Sequence, residues 1–282
     1  MSHILEKTLF ISDLDGTLLN SESKLTDTSV SLLNRAIANG INFSIATART
    51  PSTVSYLLKD VKARLPYIVM TGAAIWNPLT DKFSNPVYLG SKSASEILGI
   101  FIKHDLPVFI YKLKEDKIHI YHYSALSSLE TEFINQRDKS KYKEFHLNIE
   151  IEKLPLLMDE VSLFYAMQPS AEVEAVFNEV RNKIDCNPVF YHDIFGEEIG
   201  LLEIFSKDAS KANALKKLKS QFGFERVIAF GDNVNDIPMM KEADVAVAVE
   251  NAKDEVKDIA DIIIGSNNND SVAKFIYKES FI

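Results

Sequence analysis

The sequence is poor in what would tie a chain to an oxidising compartment, a membrane or a polyanion. Cys186 is its one cysteine, so no intrachain disulfide can form. No apolar run approaches the roughly 18 residues of a membrane span. The opening MSHILEKTLF places no basic stretch ahead of an apolar one, so no secretion signal is read there. Basic residues are in deficit, 31 Lys and Arg against 40 Asp and Glu, for a net charge of -9. That balance argues against nucleic acid or an anionic membrane surface as a partner. It leaves open a small anionic substrate, which needs only a local positive site. The six histidines show no zinc-like spacing with one another or with Cys186. There is no internal repeat and no low-complexity segment. Together these absences point to a soluble cytoplasmic protein.

What remains is a chain of 282 residues, 46% hydrophobic, long enough for a large core and two domains. Its N-terminal part reads as alternating strands and helices. Leu9, Phe10 and Ile11 form an apolar run ending in Asp13-Leu-Asp15-Gly-Thr, the pattern of a buried parallel strand. Thr26 is a candidate N-cap for a helix bearing Val30, Leu33 and Ile37, stopped by Gly40. Ile41 to Ala46 is a second strand, running into Thr47-Ala-Arg-Thr50, and Pro51 opens the next helix. Tyr67 to Met70 reads as a third strand of the same sheet. From Ala74 the grammar changes. A hairpin at Asn77-Pro78 leads out, and residues 91–205 carry paired strands and helices, including one expected over Ser124–Arg137. Lys139–Lys143 reads as a solvated charged loop, and a turn is expected at Phe195-Gly-Glu-Glu. After Ser206 the α/β alternation returns. The expected fold is a doubly wound, mostly parallel α/β sheet, residues 1–85 and 206–282, with an inserted α+β domain over 86–205.

Four polar clusters follow apolar runs or open a helix: Asp13 with Asp15, Thr47, Lys211, and Asp232 with Asn235 and Asp236. Strand C-termini of a parallel sheet share one edge, so clusters distant in sequence can converge there. Oxygen-only ligands of this kind favour magnesium over zinc. A carboxylate approaching a phosphate is repelled by ~4 kcal/mol at about 4 Å and an effective dielectric near 20. A divalent cation and an ammonium group would offset that repulsion. One aspartate could then act as nucleophile and a second as proton donor and acceptor.

These residues resemble the four motifs of the haloacid dehalogenase superfamily. Asp13-Leu-Asp-Gly-Thr-Leu, Thr47, Lys211 and Gly231-Asp-Asn-Val-Asn-Asp236 stand in the family's order and span the whole core. The long insert resembles the cap of its Cof-type branch, as does the closing pattern from Ala243-Asp through Glu250-Asn-Ala to Ala260-Asp. The resemblance implies a magnesium-dependent phosphomonoester hydrolase working through an aspartyl-phosphate on a small phosphorylated metabolite, with a sugar phosphate the first expectation. It makes Asp13 the nucleophile and Asp15 the acid/base, whose main-chain carbonyl also reaches the metal. Thr47, Ala48 and Lys211 would bind the phosphoryl group, and Asn235 would meet phosphate or metal-bound water. Asp13, Asp15, Asp232 and Asp236 form the implied magnesium site, Asp236 through the water shell or through Lys211. Three departures stand out: Ala48 where the family usually has Gly, Thr71-Gly-Ala where Asn-Gly-Ala is usual, and Asp208-Ala-Ser-Lys211 before the lysine helix.

Each assignment has a plainer reading. Asp13 and Asp15 could be turn residues, Thr47 a strand-end cap, Lys211 one more solvated lysine beside Lys216, Lys217 and Lys219, and Asp236 a helix cap. Arg49 could meet substrate or a neighbouring carboxylate. Tyr191, His192, Asp193 and Glu203 flank the last hairpin of the insert; His192 and Glu203 are the candidates for substrate contact, against a purely structural role. Trp76 reads as packing. Two other functions stay open: a phosphomutase or phosphotransferase on the same scaffold, and a non-enzymatic phospho-acceptor sensor. The expected assembly is a monomer or homodimer.

Overall fold

The computed structural model describes residues 3–137, 140–193 and 196–281. Two compact units emerge, one from Met1–Asn85 with Ser210–Ile282, the other from Pro86–Ala209.

In the first unit the chain runs through α1 (His3–Glu6), β1 (Thr8–Ser12), α2 (Asp27–Ala38), β2 (Asn42–Ile45), α3 (Pro51–Leu57), β3 (Tyr67–Val69), β4 (Ala74–Asn77) and β5 (Lys82–Ser84). The inserted unit holds α4 (Ser91–Lys103), β6 (Phe109–Lys114), β7 (Lys117–Tyr121), α5 (Ser128–Asn135), β8 (Lys143–His146), β9 (Val161–Pro169), α6 (Ser170–Lys183), β10 (Cys186–Asp193) and β11 (Gly196–Ser206). The first unit then resumes with α7 (Lys211–Phe222), β12 (Arg226–Gly231), α8 (Ile237–Lys241), β13 (Val245–Val249), α9 (Asp254–Lys257), β14 (Ile262–Ile264) and α10 (Ser271–Glu279).

Five strands of the first unit form a parallel sheet in the order β14-β13-β12-β1-β2. Every residue of β1 is buried, as a strand covered on both faces requires. From β1 the chain moves outward to β2; after the insertion it re-enters on the other side of β1, at β12. The topological switch therefore lies between β1 and β12, and ligands of open α/β sheets bind at the strand C-termini beside such a switch. Asp13 and Asp232 are the residues that follow these two strands.

Tyr67–Val69 departs from expectation. It meets the parallel sheet only through a bridge from Ile68 to Ala46 and instead leads a three-stranded antiparallel sheet, β3-β4-β5. The cause is local. Met70, Thr71 and Gly72 take positive φ of 51°, 56° and 91°, and this left-handed turn folds the chain back so that Val69 pairs with Ala74. Gly72 is obligatory there, because a Cβ would lie 2.2 Å from the Ser210 carbonyl oxygen.

The inserted unit is a six-stranded sheet, β10-β11-β9-β6-β7-β8. Helices α4 and α6 bury Ile97, Phe101, Val173 and Val180 in one core with Ile110, Phe164, Leu202 and Ile204 of the sheet. Helix α5 begins four residues later than the spacing suggests. A reciprocal capping box sets its start: Ser127 Oγ accepts from the Glu130 N–H at 3.1 Å, and Glu130 accepts from the Ser127 N–H at 2.8 Å. The expected solvated loop at Lys139–Lys143 is corrected at its end. Lys143 is buried and starts β8, with its ammonium over the Tyr111 ring; Lys139 lies outside the described residues. So do the first residue of the expected Phe195 turn and the residue before it. Trp76 is buried against Tyr67.

Candidate active site

Asp13 continues the β1 ladder by one residue, its N–H donating to the Phe230 carbonyl at 3.0 Å. That bond aims the side chain past the end of the sheet. The Leu14–Leu18 turn follows, with Gly16 at φ 78°. A Cβ on Gly16 would fall 2.4 Å from Asp232 Oδ2, so only glycine lets the turn approach that carboxylate. Thr17 Oγ1 donates to Asp232 Oδ1 at 2.7 Å.

Lys211 is the first residue of α7, whose N-cap Ser210 accepts from the Asn213 N–H at 3.0 Å. A cation at a helix N-terminus opposes the helix dipole, and this one is also buried. Two carboxylates offset both costs: Lys211 Nζ donates to Asp13 Oδ1 at 2.5 Å and to Asp236 Oδ1 at 2.7 Å. Burial pulls the Lys211 pKa down, and the two carboxylates more than reverse it, so the ammonium is held well above its ordinary value. Desolvation raises Asp13, helped by Asp236 and Asp232 and opposed by Lys211. Asp232 is also raised, again chiefly by burial.

Asp236 is fully buried. Its second oxygen accepts from the N–H groups of Asp232 at 3.2 Å and Asn233 at 3.1 Å, so it braces Lys211 and the Asp232 loop at once. Gly231 makes room, since a Cβ there would lie 2.6 Å from the Asp236 Cβ.

Carboxylate oxygens of Asp13, Asp232 and Asp236 lie within 4.8 Å of one another. Three carboxylates face one ammonium, leaving the cluster two charges short of neutrality. Hard oxygen donors with that deficit fit one divalent cation of the magnesium type.

Thr47 is buried at the end of β2, its N–H donating to Ile68 O at 3.0 Å and its Oγ1 accepting from the Arg49 N–H at 3.1 Å. Arg49 grips Asp15 in a fork, Nε to Oδ2 at 2.7 Å and Nη2 to Oδ1 at 2.6 Å. Of its two sequence readings, this state shows the neighbouring carboxylate. Ala48 and Asn235 are exposed, Asn235 in the turn immediately before Asp236. Lys211 is thus no solvated lysine, whereas Lys216 and Lys219 pair with Glu242 and Asp244 at part-exposed positions.

His192 and Glu203 belong to the inserted unit. His192 Nδ1 lies 3.1 Å from Ser170 Oγ, and its exposed ring meets Phe190 edge-on. Glu203, on β11, is pushed up to about 7 by burial, against a hydrogen bond from Tyr191. The side chain of Asp193 lies outside the described residues.

Three supports go beyond the sequence reading. Thr17 was read only as part of a motif, yet it holds Asp232. Asn251 Nδ2 donates to the Gly16 carbonyl at 2.8 Å, and Asn267 Nδ2 to the Leu19 carbonyl at 2.9 Å; together they hold the backbone of the turn that follows Asp13. The signal for Asn251 was its place in Glu250-Asn-Ala. Asn267 gave none.

Comparison with known proteins agrees with this architecture. The family model for haloacid dehalogenase-like hydrolases matches residues 10–276. A 5-amino-6-(5-phospho-D-ribitylamino)uracil phosphatase of Bacillus subtilis is 29% identical, over 95% of this chain and 94% of its own. A pyridoxal phosphate phosphatase of Escherichia coli is 28% identical, over 94% of this chain and 96% of its own. A solved structure from Thermotoga maritima shares the fold, with a TM-score of 0.76 over 96% of both chains at 20% identity. The doubly wound core, the order of its motifs and this match across nearly the whole chain place the protein in the haloacid dehalogenase-like hydrolase family.

Proposed function

We propose that the protein is a magnesium-dependent phosphomonoester hydrolase acting through an aspartyl-phosphate on Asp13. The observation that carries this reading is the buried Lys211 ammonium, shared by Asp13 and Asp236 beside the Asp232 carboxylate. A nucleophilic carboxylate meets a phosphate only where fixed positive charge offsets their repulsion. The two curated relatives are named for phosphatase activity on small phosphorylated molecules, which supports a phosphate ester as substrate.

Asp13 attacks phosphorus, and the bond from phosphorus to the leaving alkoxide breaks. Asp15 supplies the proton that the alkoxide needs. In the second half Asp15 takes a proton from water as that water attacks the phosphoryl group, returning Asp13 and inorganic phosphate. Asp15 is paired with Arg49 in the fork described above, so it parts from Arg49 to take up from solvent the proton that it delivers to the leaving group. Lys211, Thr47, the Ala48 main chain and Asn235 hold phosphoryl oxygens. Asp13, Asp232 and the Asp15 main-chain carbonyl would hold the magnesium, with Asp236 positioning Lys211 and the Asp232 loop. When bound, the ion neutralises phosphoryl charge. The inserted unit selects the leaving group, with Glu203 as its candidate contact; His192 projects from the opposite face of the sheet, against Ser170 and Phe190, and is set aside. A sugar phosphate is the first substrate to try.

The test is release of inorganic phosphate from a panel of phosphorylated metabolites with magnesium. Multiple turnover without any acceptor sugar is the expected result, and it disposes of both the phosphotransferase and the sensor. A single phosphorylation of Asp13 with no turnover would overturn the hydrolase.

A further inference from the structure

We infer that the edge of the inserted sheet carries a second cation site, formed by His119, Glu144 and His146 and suited to zinc or another imidazole-binding divalent metal. All three residues lie in the inserted unit, and the site does not depend on the reaction proposed above.

Strands β7 and β8 pair in parallel, with His119 opposite Glu144 and Tyr121 opposite His146. Side chains alternate along a strand, so all four project from one face. His119 Nδ1 lies 3.0 Å from His146 Nε2, and His146 Nε2 lies 3.6 Å from Glu144 Oε1. All three donor atoms fall within 4.8 Å of one another. Tyr121 stacks on the His146 ring at 4.6 Å and 15° and backs it from one side.

The two imidazoles are nearly coplanar, 16° apart with centroids at 5.3 Å. That places the two nitrogens edge to edge, as in a single N–H···N hydrogen bond. A metal ion replaces the proton of that bond. Each ring turns modestly about its outer torsion so that both lone pairs converge, and the proton goes to solvent. The Glu144 side chain, 46% exposed, swings in as the third ligand, and water completes the shell. Two imidazoles and one carboxylate are the donor set of zinc or a neighbouring transition metal, not of magnesium. Lys117 Nζ, 3.5 Å from Glu144 Oε2, and Lys112, opposite His119, are the cations the site must accommodate.

The site has a mechanical consequence. Strand β8 has four residues, lies at the sheet edge and pairs only with β7 among the described strands. One ion bound by His119 on one strand and Glu144 and His146 on the other cross-links that edge.

The test titrates the full-length protein, saturated with magnesium, with Zn2+ and with Co2+ as a visible-absorbing substitute. Calorimetry, the Co2+ spectrum and histidine side-chain nitrogen NMR are recorded on the parent, Asp232→Asn, His119→Gln and His146→Gln. The expected result is one equivalent bound by the parent and by Asp232→Asn, with both histidine resonances shifted. Either glutamine variant should weaken binding by at least about a hundredfold. Should His119→Gln fail to fold, His146→Gln carries the test, since His146 is 29% exposed. Binding by His146→Gln as tight as by the parent, or no Zn2+ equivalent in the parent, would show a hydrogen-bonded histidine pair only and overturn the site.

Discussion

Lys211 and Asp13 are 198 residues apart in sequence and 2.5 Å apart in space, Nζ to Oδ1, inside the core. Replacing the lysine by Met leaves Asp13 and Asp236 without their shared cation, beside the Asp232 carboxylate. Under the proposed mechanism, kcat/KM for any accepted phosphomonoester falls by about 10²–10³ or more. Stability without magnesium falls as well, by about 3–5 kcal/mol, because a buried carboxylate loses its partner. Phosphate release and urea unfolding measure the two effects separately. An activity loss under about tenfold would take Lys211 out of the phosphoryl site.

Asp13→Asn keeps the shape of the side chain and a hydrogen-bonding group toward Lys211 while removing the nucleophile. The variant should keep the parent's circular dichroism and show no measurable turnover on an aryl phosphate with magnesium. Activity within about tenfold of the parent would assign the nucleophile elsewhere.

Gly16→Ala tests the close approach between the turn and Asp232. The new Cβ would fall 2.4 Å from Asp232 Oδ2, at a φ of 78°. A displaced Asp232 should raise the magnesium concentration needed for half-maximal activity, and the strained backbone should cost about 1–3 kcal/mol of stability. Gly90→Ala is the control for the magnesium requirement, with nothing within 4 Å of its Cβ; it should match the parent there, and as the N-cap of α4 it should lose only what the poorer cap costs in stability.

A half-buried carboxylate and a buried ammonium give the inserted unit an unusual pH dependence. Glu203 is raised by burial to about 7. The folded state then binds a proton more tightly than the unfolded chain, and its contribution to stability is present at low pH and lost as pH rises toward 7. Lys143 is lowered to about 7, by burial and then by Arg137. Here the unfolded chain binds the proton more tightly, so stability recovers as pH rises from 7 toward the ordinary lysine range. The two trends place a minimum near pH 7 in their combined contribution. Glu203→Gln should stabilise above the minimum and Lys143→Met below it, each by on the order of 1 kcal/mol or more. Thermal unfolding from pH 5 to 9 checks this, and profiles unchanged from the parent would refute it.

The chemistry-bearing clusters were legible because each follows a recognisable local signal. An apolar run before Asp13, another before Asp232 and a serine before Lys211 place these residues at element ends without any tertiary information. Less legible were features set by pairing partners. Tyr67–Val69 has the composition of a core strand, and only the left-handed Met70–Gly72 turn sends it into a separate antiparallel sheet. Lys143 looked solvated because its neighbours are charged, and burial came from joining β7. The histidines showed no metal-like spacing because His119 and His146 meet across strands rather than along one.

The sequence by itself determined the α/β alternation, the element ends where the carboxylates and the lysine stand, and the family. Hydrophobic periodicity and turn chemistry act over a few residues, so they can be read from neighbours alone. Tertiary structure decided what each charged group faces. Asp236 is braced between Lys211 and two backbone N–H groups, Asp15 is gripped by Arg49, and Asp232 is reached by Thr17. Those choices depend on how β12 returns beside β1 after the inserted unit. Pairing and burial at a sheet edge come from strand order, which no local stretch encodes.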